Sequence, residues 1–323
     1  MLELHLPYAP VQTKIDRRTT SLALVLGLGA LLFYGGLLPT ILRGSSALAE
    51  LYEKRQLPLQ RRLRRAMRDR ELTLVYQPKL DLRTGEIDGV EALLRWQPAN
   101  GPAVPPAEFI PLIEPTAVMK ALTLHVFELA VRQAAAWAKQ GLHIGVAVNI
   151  SACNLRDDDL PDRLAELTST HGLSPRSFTL EVTESGVSQS PDRDLETLTA
   201  LRTRGFKLSI DDFGTGESSL SRIDRLDFQE VKIDRSFVSD LGDRPDPVLL
   251  ASIIELAQAL GARAVAEGVE SEAASRRLTE LGCDEIQGFH LARPLPPDEL
   301  AAWLREFSGE RGAAGRRVAS PVA

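Results

Sequence analysis

From Leu72 onward, short apolar blocks alternate with longer segments whose apolar residues recur every three or four positions. The short blocks read as strands over Leu72–Leu80, Glu86–Arg95, Ile144–Ile150, Ser177–Thr183, Phe206–Asp211, Glu230–Ile233, Ala262–Glu267 and Glu285–His290. The first two, broken only at 81–85, read as an antiparallel hairpin. The longer segments predict helices over Pro105–Lys139, Leu160–His171, Asp192–Arg204, Pro247–Leu260, Glu272–Leu281 and Pro297–Phe307. A helix within Leu57–Leu72, apolar at Leu59, Leu63, Ala66 and Met67, opens this domain. Strands and helices in this alternation over roughly 250 residues predict an α/β chain folded as a (β/α)8 TIM-type barrel.

The N-terminal pattern differs. Residues 1–18 form a short mixed segment, and 19–42 contain no charged residue, enough apolar length for one transmembrane helix. Lys14, Arg17 and Arg18 precede that run, and a larger set from Arg43 to Arg70 follows it, which places the C-terminal bulk in the cytoplasm. The expected arrangement is a single-pass protein of the cytoplasmic membrane, with 43–56 as linker, 57–307 as the main domain and 308–323 as a disordered tail. A cleaved signal peptide is the rival reading, with Ala47-Leu48-Ala49 as its small-residue site. Against it stand the length of the apolar run and the intervening Arg43.

Composition narrows the partners. A hydrophobic content of 44% and a charged content of 25% are ordinary for a globular chain. The net charge of −6 argues against a DNA or RNA polymer as partner. Cys153 and Cys283 make neither a disulfide framework nor a zinc pattern.

The chemistry lies where polar residues interrupt the strands. Glu91 sits inside an apolar block, Asn149 closes VAVN, and Glu181 lies in FTLEVTE with Glu184 just beyond. Asp211 and Asp212 close LSIDD, Lys232 lies in EVKID, Glu267 follows AVA with Glu270 beyond, and Gln287 lies in EIQGF. Any one of these alone is explained by a cap or a surface charge. Together they are late positions on successive strands, which a barrel gathers at the C-terminal mouth, although the direction of Glu91's strand is open. Several carboxylates around one mouth repel without cations. Oxygen ligands without a His or Cys cluster favour Mg²⁺ or Mn²⁺ over zinc. Adjacent Asp211 and Asp212 suggest two ions sharing a ligand, an arrangement suited to phosphodiester cleavage, with Lys232 beside the attacking water.

These residues fall in motifs that together resemble the EAL-domain family of cyclic-di-GMP phosphodiesterases: GVEALLRW around Glu91, VNIS at 148–151, LEVTE at 180–184, DDFGTG at 211–216, KIDRSF at 232–237, AEGVE at 266–270 and QGF at 287–289, with RP at 293–294. The resemblance implies a barrel with an antiparallel first strand and Mg²⁺- or Mn²⁺-dependent hydrolysis of this bacterial second messenger, cyclic-di-GMP, to linear pGpG. It implies one ion held by Glu91, Asn149, Glu181 and Asp211, and a second held by Asp211, Asp212 and Glu267. Glu267 would also be the general base and Lys232 the holder of the water. Gln77 and Arg95 would contact substrate, Glu184 would steady the loop after Asp212, and Glu270 and Gln287 would support. It also leads us to expect a homodimer. Glu217 stands where the family usually has an aromatic residue, in a loop tied to metal binding and dimer communication. The alternative is a catalytically weak or inactive cyclic-di-GMP receptor, although such receptors usually lack one or more of the acids retained here.

Overall fold

The computed structural model describes residues 57–188, 192–215, 223, 226–239, 241 and 248–318. The proposed span 19–42, its flanking segments and Glu217 lie outside these residues. Among the described residues, no helix is long and apolar enough to cross a membrane. Contacts divide the chain into Met1–Leu59 and Gln60–Ala323, and the barrel lies in the second unit.

Eight strands close into one barrel in sequence order. They are β1 (Leu72–Asp81), β2 (Ile87–Trp96), β3 (Gly145–Asn149), β4 (Phe178–Thr183), β5 (Lys207–Phe213), β6 (Glu230–Ile233), β7 (Arg263–Ala266) and β8 (Glu285–Gln287). β1 runs antiparallel to both of its neighbours, β2 and β8, and every other adjacent pair is parallel. Glu91 therefore points along a strand that shares its direction with the rest.

Helix α1 covers 57–68. It is followed by α2 (Pro106–Ile113), α3 (Ala117–Lys139), α4 (Leu160–Thr170), α5 (Glu184–Ser188), α6 (Asp192–Thr203), α7 (Arg235–Val238), α8 (Val248–Ala259), α9 (Glu272–Glu280) and α10 (Pro297–Val318). Two expectations need correction. The single helix over 105–139 is two: Pro115 follows α2, and Thr116 caps α3 by accepting a hydrogen bond from the Val118 amide. The last helix runs past Phe307 to Val318, into the stretch expected to be a disordered tail.

The apolar core lies between the barrel and its helices. Phe178, Leu180 and Val182 of β4 alternate with Thr179 and Glu181, and all five are buried. Phe127 of α3 packs against Phe178 and Phe206, with ring centroids 5.3 and 5.9 Å apart. The other face of each strand turns into the lumen, and in this barrel the lumen is polar: Gln77, Lys79, Glu91, Thr179, Glu181, Ser209, Glu230, Lys232, Glu285 and Gln287 are all buried.

These side chains form two groups. At the N-terminal floor, Lys79 Nζ lies 2.6 Å from Glu230, and Thr179 donates to the other oxygen of Glu230 at 3.5 Å. Arg263, half-exposed beneath, pairs with Asp81, with Asp88 and, at 2.8 Å, with Glu285. The second group lies at the mouth.

Candidate active site

At the mouth, Lys232 Nζ is surrounded by acids. It lies 2.7 Å from Glu267, 2.9 Å from Glu181, 3.1 Å from Asp211 and 3.4 Å from Glu91. Parallel register explains the convergence, since Asn149 pairs with Glu181, and Thr183 with Asp211, so that successive strands deliver polar residues to one level. Asn149 donates to Glu91 Oε1 at 2.9 Å and Gln287 to Glu91 Oε2 at 2.6 Å. Gln287 also donates to Gln77 at 3.2 Å, and Gln77 donates to the Ala292 carbonyl at 3.1 Å.

Adjacent residues on a regular strand face opposite sides. Asp211 and Asp212 escape that rule because the β5–β6 register shifts between Ile210 and Phe213, and Asp212 takes a left-handed φ of 54°. An aspartate tolerates this backbone better than most residues. As a result, carboxylate oxygens of Asp211, Asp212 and Glu267 lie within 4.8 Å of one another. Behind them, Gly214 donates its amide to Glu184 Oε2 at 2.9 Å, and Glu184 is buried. Gly214 belongs to the loop after Asp212, the loop that the family resemblance expects Glu184 to steady.

The electrostatics are unbalanced. Burial opposes the charge of Lys232, but Glu181, Glu267, Glu91 and Asp211 outweigh it and hold the pKa well above the ordinary lysine range. Burial also opposes ionisation of Glu91, yet Lys232 and the amides of Gln287 and Asn149 bring its pKa below the usual value. Glu181 goes the other way, raised well above the usual value by burial and by Glu91 and Asp211. Burial brings Glu267 up to about 7 against the pull of Lys232, and burial with Asp211 raises Asp212. One lysine does not neutralise these carboxylates. Glu181 Oε1 is moreover buried without a hydrogen-bond partner. Both Glu285 oxygens at the floor also lack a hydrogen bond, but Arg263 lies 2.8 Å from one of them; beside the all-oxygen acidic set at the mouth, the unpartnered acceptor fits a hard divalent cation.

The cleft over this cluster measures about 270 Å³ and is lined by Gln77, Glu91, Asp211, Lys232, Glu267, Glu270 and Gln287 among others. Arg95 falls outside it. Arg95 lines an adjoining apolar hollow with Asn149 and donates to the Leu94 carbonyl at 2.8 Å. The sequence reading assigned no role to Arg235 or Phe289, which line the cleft, or to Arg293, whose guanidinium lies 4.3 Å above the Phe289 ring. Their signal was present in KIDRSF, QGF and RP. Gly288 is required there, because a Cβ would fall 2.1 Å from the Val269 carbonyl oxygen.

A family model described as the EAL domain matches residues 60–294. The bifunctional diguanylate cyclase/cyclic di-GMP phosphodiesterase MucR of Pseudomonas aeruginosa is 41% identical over 249 residues, which are 76% of this chain and 36% of that protein. The cyclic di-GMP phosphodiesterase PdeR of Escherichia coli is 35% identical over 246 residues, 76% of this chain and 37% of that protein. The chain thus spans about a third of the length of the curated relatives it matches. Among solved structures, the PaMucR phosphodiesterase in its c-di-GMP complex superposes with a TM-score of 0.71 at 40% identity, covering 76% of this chain and all of that one. The EAL domain of Mycobacterium smegmatis DcpA gives 0.63 at 35% identity, covering 73% of this chain and 98% of that one.

Proposed function

The chain belongs to the EAL-domain family, and on that premise we propose that it hydrolyses cyclic-di-GMP to linear pGpG with two divalent cations, Mg²⁺ or Mn²⁺, at the barrel mouth. The observation that carries this reading is the surplus of carboxylates around Lys232, with Glu181 Oε1 buried and unpartnered, at the base of an open cleft. Glu91, Asn149, Glu181 and Asp211 would hold one cation, and Asp211, Asp212 and Glu267 the other. Bound there, the cations would supply Lewis-acid charge to a phosphodiester oxygen and to the attacking water. Lys232, held among four acids, would turn an ammonium proton toward that water or the developing phosphorane charge once cations take up those carboxylates. Glu267 stands beside it to take the proton. Phe289, 48% exposed at the rim, offers a flat apolar face to a purine base.

The same reading places the barrel in the cytoplasm, held to the membrane by 19–42, and pairs it as a homodimer. The first rests on the charge-free run and the arginines after it, the second on family likeness. The test is chromatography of cyclic-di-GMP incubated with the full chain and Mg²⁺ or Mn²⁺, with Glu91→Ala as control. Metal-dependent pGpG supports the proposal. Tight binding without product would make the protein a receptor, and neither binding nor product would refute the site.

A further inference from the structure

A groove of about 610 Å³ lies beside α1, lined by Arg68 and Arg70, by the ion pair of Arg132 with Glu128, and by Met67, Leu72 and Leu129. His125 also lines it, and its Nε2 is buried without a hydrogen-bond partner. The groove continues a charged helix face. Residues 57–70 carry six arginines against one acid, in a chain whose net charge is −6. Leu63 and Ala66 bury one side of α1, fully shielded from solvent. On the opposite side, Leu57, Arg61, Arg64, Arg65 and Arg68 share an arc of about 100° at 3.6 residues per turn. All five are exposed, Leu57 at 55%. Among the described residues, Arg61, Arg64, Arg68 and Arg70 form no ion pair; Arg62 instead lies over Trp96, 5.0 Å from the ring centroid.

We propose that this outer face of α1, with the groove beside it, is a docking surface for an anionic phospholipid bilayer. Arginines would meet headgroup phosphates, and Leu57 would enter the interface beneath them. The proposal rests on the reading of 19–42 as a membrane span. Leu42 and Leu57 are close in sequence, so the intervening chain reaches at most about 50 Å, which keeps α1 near the bilayer surface. The net charge of −6 disfavours a nucleic acid polymer, which needs a broadly basic surface, whereas a bilayer can be met by this one face. Seated this way, α1 would fix how the barrel is carried at the membrane.

The test uses the full chain reconstituted in vesicles of phosphatidylcholine alone, or with a third replaced by phosphatidylglycerol. Hydrogen exchange of the amides in 57–68 is compared between the two. Each arginine at an anionic surface strengthens attachment about fivefold, so exchange should slow at least about tenfold in the anionic vesicles. The protection should vanish at high salt and in the variant Arg61→Gln/Arg64→Gln/Arg65→Gln/Arg68→Gln. Equal exchange in both vesicles, or protection that the variant keeps, overturns the proposal. So does equal protection by an RNA polymer at the same salt. Alkaline carbonate extraction separates this from the anchor reading: a chain washed off neutral vesicles refutes the span, while the lipid-composition difference still judges α1.

Discussion

The barrel lumen holds a buried lysine at each end, and the two ends have opposite character. At the floor, Lys79 and Arg263 face Glu230, Glu285 and the outer acids Asp81 and Asp88, each within ion-pair distance of a cation. At the mouth, Lys232 is the cation that, among the described residues, lies within ion-pair distance of Glu91, Glu181, Asp211 and Glu267, with Asp212 adjacent to them. Four floor acids share two cations, whereas five mouth acids share one lysine, so the surplus of negative charge is larger at the mouth, where it lies under an open cleft. Buried carboxylates alone therefore do not mark a site. The marker is the surplus, together with access.

This comparison predicts that floor mutations cost stability and mouth mutations cost activity. The largest effect is expected for Lys79→Met, which strands Glu230 and destabilises the fold by about 3–5 kcal/mol in denaturant titration. Turnover per folded molecule should stay within a few-fold, and Lys79→Met/Glu230→Gln should regain most of the loss. Asp211→Asn should reduce turnover at least about a hundredfold without lowering the metal-free melting temperature, since it removes surplus charge. If Asp211→Asn unfolds the chain instead, the two ends are not different in kind.

The third prediction concerns pH. Burial brings Glu285 up to about 7 in the folded chain, against an ordinary value of 4.5. Between these values the folded state binds more protons than the unfolded state. The contribution of Glu285 to stability therefore falls as pH rises through this window, by at most about 1.4 kcal/mol per pH unit. Glu285→Gln should flatten that part of the profile, and an unchanged slope would show that Glu285 does not titrate there. The smallest effect is expected for Glu184→Ala, which leaves the Gly214 amide without its acceptor and loosens the bulge carrying Asp212. A loss of turnover of several-fold, with Glu184→Gln near wild type, would assign the effect to that hydrogen bond.

Strand order, barrel closure and most of the mouth were legible because strand-end acids break apolar blocks, as in LSIDD and FTLEVTE. The floor was not. Glu230 and Glu285 each begin a strand, where a charge reads as a solvated cap, and Lys79 lies near the end of a strand of a hairpin in which only the family likeness says which strand runs against the rest. Nor could the alternation in FTLEV and EVKI distinguish a polar face open to solvent from one enclosed in a lumen, since both have a period of two. The clustering of Asp211 with Asp212 depended on a register shift and a left-handed residue, neither of which has a signal in the residue types alone. Pro115 marks the break between α2 and α3, but the apolar period continues on both sides of it and hides the break.

The central claim is that the mouth is incomplete without divalent cations. Its most direct test is the melting temperature of the metal-stripped chain as Mn²⁺ is added. The account predicts a saturable rise, equivalent to about 2.7 kcal/mol when the cation is at a hundred times its dissociation constant. That rise should be lost in Asp211→Asn and kept in Glu285→Gln. No rise in the wild type, or an equal rise in Asp211→Asn, would contradict it.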